Sequence, residues 1–317
     1  MRAALRPDRA WSSRSGSNAF DLDDDASYQR WRDTKMEFYP SSAEDLLVEI
    51  RDPAQVTSIE KTAIVDRCVR SNMALYAVAS SSQRDELQTR RDLRAFSTTF
   101  GLNTLEDHRS AEADGIVRIE IVQDGGRLGY IPYSNRPISW HTDGYYNFES
   151  ASHYVGAMLL HCVRDADEGG DNRLLDPDIA YIRLRDLDPG HIEALMHPEA
   201  MRIPANIEDN GRIRHENVGP VFFIDPNDGA LGMRYTARKR NISWRDNEQT
   251  RRAVSALEQT LETDPLVFRV RLQPGQGLIC NNVLHDRAGF VSSAEGGRLL
   301  FRARYHGRIG PSRSIGG

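Results

Sequence analysis

The chain has 317 residues, 39% hydrophobic and 27% charged, enough to bury a large core, and its formal net charge of −5 lacks the basic excess of a nucleic-acid surface. No apolar run approaches the ~18 residues of a membrane span. Three scattered cysteines (Cys68, Cys162, Cys280) with no CxxC spacing argue against a disulfide framework and fit a reducing, cytoplasmic setting. Only three of the 41 basic residues are lysine, a bias read as compositional rather than as phosphate binding.

Residues 1–40 are polar and unpatterned and read as a flexible tail and lead-in; residues 41–317 read as one domain. Thr57-Ser58-Ile59-Glu60 is a capping box, with Ile59, Ala63, Ile64 and Cys68 following at helical spacing. Residues 73–79 read as a short buried strand and residues 83–96 as a second helix. From Gly115 the period changes: Ile116, Ile119 and Ile121 mark a strand, closed by Asp124-Gly125-Gly126. Pro132 and Pro137 keep residues 130–140 extended. Residues 155–163 form an apolar run suited to a strand buried on both sides. Residues 221–225 and 230–235 flank a Pro226-Asn227-Asp228-Gly229 turn, an expected hairpin. Residues 246–261 are an amphipathic helix, and 266–272, 277–281 and 298–305 complete the strands. Without βαβ alternation, this order predicts a mainly β fold with helical inserts, a sandwich or jelly roll.

Within Trp140-His141-Thr142-Asp143, side chains two apart on a strand point to one face, so His141 and Asp143 can converge on an ion. The tripeptide alone is weak. His191/Glu193 and His197/Glu199 repeat it, but in a segment that reads as helix and turn, where the spacing cannot aim both groups at a metal. A second histidine, His285, ends the apolar run that begins at Gly277 and passes through Asn281 and Asn282. Seventeen residues further, Arg302 lies on the last strand with Arg298, Leu300 and Arg304 on its face; Leu299, Phe301, Ala303 and Tyr305 form the other. That polar face reads either as solvated or as a guanidinium aimed into a barrel mouth. Two imidazoles and one carboxylate leave open positions on an iron for a chelating 2-oxo acid and O2, and a five-carbon dicarboxylate then needs a fixed cation.

Trp140-His141-Thr142-Asp143-Gly144, Leu159-Leu160-His161-Cys162, Glu168-Gly169-Gly170-Asp171-Asn172, Asn282-Val283-Leu284-His285 and residues 298–305 together resemble the taurine dioxygenase (TauD/TfdA) family, which includes γ-butyrobetaine hydroxylases, across roughly residues 45–309. The resemblance implies a double-stranded β-helix, a cupin-like jelly roll. It also implies an Fe(II)- and 2-oxoglutarate-dependent dioxygenase using O2, which hydroxylates a small-molecule metabolite and releases succinate and CO2. It implies His141, Asp143 and His285 as metal ligands, Arg302 on the distal carboxylate of 2-oxoglutarate, and Arg298 as a second arginine nearby. Asn172 stands where many members have Thr or Ser in contact with 2-oxoglutarate. Asp143, a carboxylate, favours hydroxylation over halogenation.

The substrate is less legible. Trp140, Tyr145, Tyr146 and Phe148 read either as a wall for a quaternary ammonium group or as packing. Arg234, Tyr235, Arg238 and Arg240 read either as an acidic-substrate contact or as an exposed turn. Two other readings are a non-catalytic metal or 2-oxoglutarate sensor on the same scaffold and a zinc hydrolase. Neither a nucleic-acid nor a membrane partner is expected, and the oligomeric state, homo-oligomer included, stays open.

Overall fold

The computed structural model describes residues 18–79, 85–106, 112–122, 130–207, 213–293 and 297–310; the expected turn at Asp124-Gly125-Gly126 and the first part of the expected tail lie outside these. The chain divides into two units, Met1–Glu37 and Phe38–Gly317. In the first, the polar lead-in is helical rather than unpatterned: α1 spans Asp25–Glu37. Asp24 accepts the Ser27 N–H in the manner of an N-cap, and the Phe20 and Trp31 rings meet edge to face at 5.0 Å.

The second unit is built on two sheets. Their strands, in chain order, are β1 (Leu47–Ile50), β2 (Met73–Val78), β3 (Val117–Ile119), β4 (Ile138–His141), β5 (Ala157–Arg164), β6 (Asn172–Leu175), β7 (Phe268–Val270), β8 (Gln276–Cys280), β9 (Leu284–Arg287) and β10 (Leu299–Tyr305). The larger sheet runs β1-β2-β8-β5-β10-β3 and the smaller β7-β6-β9-β4. All neighbours are antiparallel except β1 and β2. One apolar core joins inner faces of both sheets, with Leu75, Met158, Leu160, Leu278 and Leu300 meeting Leu174, Phe268 and Val270. This is the jelly-roll layering expected from the strand pattern.

Helices α2 (Ser58–Ser71) and α3 (Glu86–Thr99) cover the outer face of the larger sheet. There Ile64, Cys68, Leu93 and Phe96 pack on Tyr76, Leu159, Ile279, Phe301 and Tyr305. The capping box at Thr57 and Glu60 forms as read, and α2 ends at Asn72 in the left-handed region. Helices α4 (Pro177–Leu187), α5 (Pro189–Leu195) and α6 (Glu248–Thr263) form a separate helical layer. The sequence reading left α4 out, although Asp176 caps it and Pro177 opens it. Residues 130–140 are not extended throughout: Ile131–Tyr133 is a 3₁₀ turn, with Pro132 inside it, before β4 begins. Among the described residues, no helix is long and apolar enough to cross a membrane.

Candidate metal centre

Strand pairing places the candidate ligands. His141 is the last residue of β4 and lies opposite His285 in the antiparallel β4–β9 pair, so the two imidazole centroids are 4.2 Å apart. Asp143 sits two residues on, in the turn that leaves β4. Gly144 follows with φ of 71°, and a Cβ there would stand 2.3 Å from Val155 Cγ2, so both backbone and space call for glycine. Asn282, itself at a positive φ of 49°, clamps this turn: its Oδ1 accepts the Asp143 N–H at 2.7 Å, while its Nδ2 donates to the carbonyls of Asp143 (3.0 Å) and Val155 (2.6 Å). Ligand atoms of His141, Asp143 and His285 all lie within 4.8 Å of one another.

The hydrogen bonding leaves these groups prepared for a cation. His141 Nδ1 meets the Ser139 carbonyl at 2.9 Å and His285 Nδ1 the Val283 carbonyl at 2.9 Å, which leaves both Nε2 atoms for the site. Asp143 Oδ1 accepts from Arg302 Nη1 (3.0 Å) and Arg304 Nη1 (3.5 Å). Its Oδ2 is buried without any hydrogen-bond partner among the described residues. A bare carboxylate oxygen beside two imidazole nitrogens is expensive unless something positive completes it. The donor set of two nitrogens and one oxygen suits Fe(II).

Burial raises the Asp143 carboxyl, but Arg302, then Arg304, and the two histidines outweigh it and hold it well below the carboxylate range. Burial, and secondly His285, lowers His141 to about 3, so the ring is a neutral ligand near pH 7.

The polar face of β10 turns inward. Arg298, Arg302 and Arg304 are all buried, so the solvated alternative for this face does not hold. The two arginines expected near 2-oxoglutarate sit in different surroundings. Arg302 lies on Asp143 itself rather than standing off from the candidate ligands. Arg298 stacks on Phe290 at 5.0 Å, and among the described residues its guanidinium has neither a hydrogen bond nor an ion pair. Burial lowers it to about 10. Asn172 and His285 line one cavity between the sheets with Met158, Leu160 and Leu278, and Asn172 spends one amide hydrogen on the Asp286 carbonyl at 2.7 Å.

Two candidate substrate residues are placed elsewhere. Trp140 alternates to the opposite face of β4 from His141. It is buried there, donates Nε1 to Glu262 at 3.1 Å and carries the Arg173 guanidinium 4.8 Å above its ring. Arg234 is 2% exposed and gives all five of its N–H groups to the protein. Nε goes to the Tyr145 carbonyl, Nη1 to the carbonyls of Met201 and Gly219, and Nη2 to the Asn217 carbonyl and side chain. It has nothing left for an acidic substrate. Tyr145 does face the site, edge-on to His141 at 6.3 Å, and Tyr146 packs against it at 5.2 Å. Arg238 donates to the Tyr145 hydroxyl at 2.9 Å. The other two His-x-acid pairs behave as expected: His191 is in α5, and His197 accepts the Glu199 N–H.

Sequence reasoning named Asn282 and Arg304 without giving either a role, and it missed Glu106, which forms an ion pair with Arg304. Asn282 carried a signal, an amide just before His285; Glu106 carried none.

The profile of the taurine catabolism dioxygenase TauD, TfdA family matches residues 84–304. A uridine-5'-phosphate dioxygenase of Amycolatopsis is 32% identical over 172 residues, 52% of this chain and 60% of that protein. A uridine-5'-phosphate dioxygenase of Streptomyces is 28% identical over 196 residues, 58% of this chain and 66% of that protein, so the matches span less than two thirds of either relative. Among solved structures, the non-haem iron oxygenase OrfP, in complex with Fe, succinate and (3S)-hydroxy-L-Arg, superposes with a TM-score of 0.60 at 17% identity, covering 80% of this chain and 82% of that one.

Proposed function

The chain belongs to the taurine catabolism dioxygenase TauD, TfdA family, and on that premise we propose that it is an Fe(II)- and 2-oxoglutarate-dependent dioxygenase that hydroxylates a small polar or charged metabolite. The observation that carries this reading is the Asp143 carboxylate, with one oxygen held by arginines and the other buried and bare beside His141 and His285. Those three residues would hold the iron. Bound Fe(II), with 2-oxoglutarate and O2, supplies the oxidation of a C–H bond and the release of succinate and CO2.

The rest is the work of the chain's own groups. Arg298, buried and without a hydrogen-bonding partner for its guanidinium among the described residues, takes the distal carboxylate of 2-oxoglutarate, because a desolvated guanidinium gains most from a bidentate anion. Arg302 instead orients Asp143. The apolar wall of Met158, Leu160 and Leu278 excludes water from the cosubstrate. Tyr145 lies edge-on to His141, and Arg238 above it would offer a cation to an anionic substrate group. The relatives' activity makes uridine-5'-phosphate the first compound to try.

The test is succinate formation with Fe(II), ascorbate and O2 across a substrate panel, with uridine as the neutral partner of uridine-5'-phosphate. Anaerobic addition of Fe(II) and 2-oxoglutarate should give a lilac absorbance from bidentate chelation. Protein that binds Fe(II) but shows neither the absorbance nor any succinate would refute the assignment.

A further inference from the structure

We propose that Glu106 and Arg304 form a buried positioning pair that keeps the Asp143 carboxylate available to a divalent cation; the inference rests on His141, Asp143 and His285 being the metal ligands. Arg304 and Glu106 expose only 2% and 5% of their side chains, and they form an ion pair beneath the site. Taking such a pair out of water is costly, so its placement against a metal ligand calls for a reason.

Charge counting supplies one. Asp143 touches two guanidiniums, Arg302 and Arg304. With Asp143 as the only carboxylate, this cluster would carry a net positive charge before any cation arrived, and repulsion in a desolvated setting is strong. Glu106 brings the four side chains to neutrality. Its position is fixed by the strand it serves: the Glu106 N–H donates to the Arg304 carbonyl at 2.9 Å, and Leu105 bridges to Tyr305.

The pair also reaches the substrate side. Asn147 Nδ2 donates to Glu106 Oε1 at 3.0 Å, and the Tyr146 hydroxyl accepts from Arg304 Nη1 and Nη2 at 3.3 and 3.4 Å. Both residues belong to the turn that follows Asp143 and carries Tyr145. One buried arginine thus touches the metal carboxylate and the aromatic turn together.

The experiment is anaerobic titration of the metal-free full-length protein with Co(II), followed by calorimetry and by the cobalt visible bands. Glu106→Gln should weaken Co(II) binding about ten- to hundredfold, the usual range for a lost outer partner of a ligand. The double variant Glu106→Gln/Arg304→Gln removes the uncompensated cation as well, and its affinity should return towards wild type. Tyr146→Phe, which changes no charge, should stay within about twofold. A purely structural pair predicts the reverse, with the double variant worse than the single and melting temperature tracking affinity. Glu106→Gln within twofold of wild type overturns the proposal by itself, even if the double variant does not fold. If instead His141→Ala binds Co(II) as wild type does, the metal centre has been misassigned, a failure distinct from that of the pair.

Discussion

Two buried arginine environments in this molecule use the same side chain in opposite ways. Arg234 is complete: five N–H groups meet five acceptors, four of them backbone carbonyls from three separate segments. The inner end of β10 is unfinished. Among the described residues, Arg302 and Arg304 have buried Nε atoms without partners, Asp143 has a bare oxygen beside them, and the Arg298 guanidinium has no hydrogen-bonding partner. Folding can satisfy an arginine fully where only structure is at stake. Polar capacity left over in a buried place and gathered around two imidazoles is what a bound ligand would complete.

The comparison breaks most visibly at Asp143. Asp143→Ala removes the bare oxygen and leaves Arg302 and Arg304 facing the metal position with one less counter-charge. Co(II) binding should fall more than about a hundredfold, beyond the range of outer-partner changes, and 2-oxoglutarate turnover should vanish. Near-wild-type succinate release from this variant would end the metal assignment. At the complete arginine the effect should move to stability. Arg234→Met strands buried carbonyls, which should cost about 3 kcal/mol or more by denaturant unfolding. Co(II) affinity of the folded fraction should stay within about twofold. A variant as stable as wild type would show that Arg234 is not the knot its contacts describe.

How much of this the sequence carried follows from the same contrast. Strand alternation and motif order singled out His141, Asp143 and His285, and the antiparallel pairing that brings His285 opposite His141 is what the structure adds. The two faces of β10 were legible for the same reason, with Leu299, Phe301, Ala303 and Tyr305 in one core and Leu300 in the other. Alternation also puts Trp140 behind the sheet, a consequence that its nearness to the motif obscured. Arg234 was illegible, since carbonyl acceptors have no side-chain signature and come from residues 145, 201, 217 and 219. Glu106 was illegible too: it reaches Arg304 by tertiary register across nearly 200 residues of chain.

The unpaired arginine gives a smaller, sharper test. Arg298→Ala should raise the KM for 2-oxoglutarate about 10- to 100-fold, the worth of a charged hydrogen-bonded pair. Co(II) affinity without cosubstrate should hardly change, because Arg298 does not touch Asp143. Arg302→Ala should disturb metal affinity and KM together, since Arg302 does. Equal behaviour of the two variants would erase the distinction drawn between them.

The smallest effect belongs to Trp140, one residue from the candidate ligand His141 yet on the other face of the strand. Trp140→Phe keeps an aromatic surface beneath Arg173 but loses the hydrogen bond to Glu262. Arg173 still holds both Glu262 and Asp286, so the carboxylate is not left unpaired. The expected loss is about 1 kcal/mol of stability, with metal affinity, KM for 2-oxoglutarate and substrate preference unchanged. A change in substrate preference would mean that the aromatic face behind β4 communicates with the site. Proximity in sequence would then count for more than the side of the strand on which a residue lies.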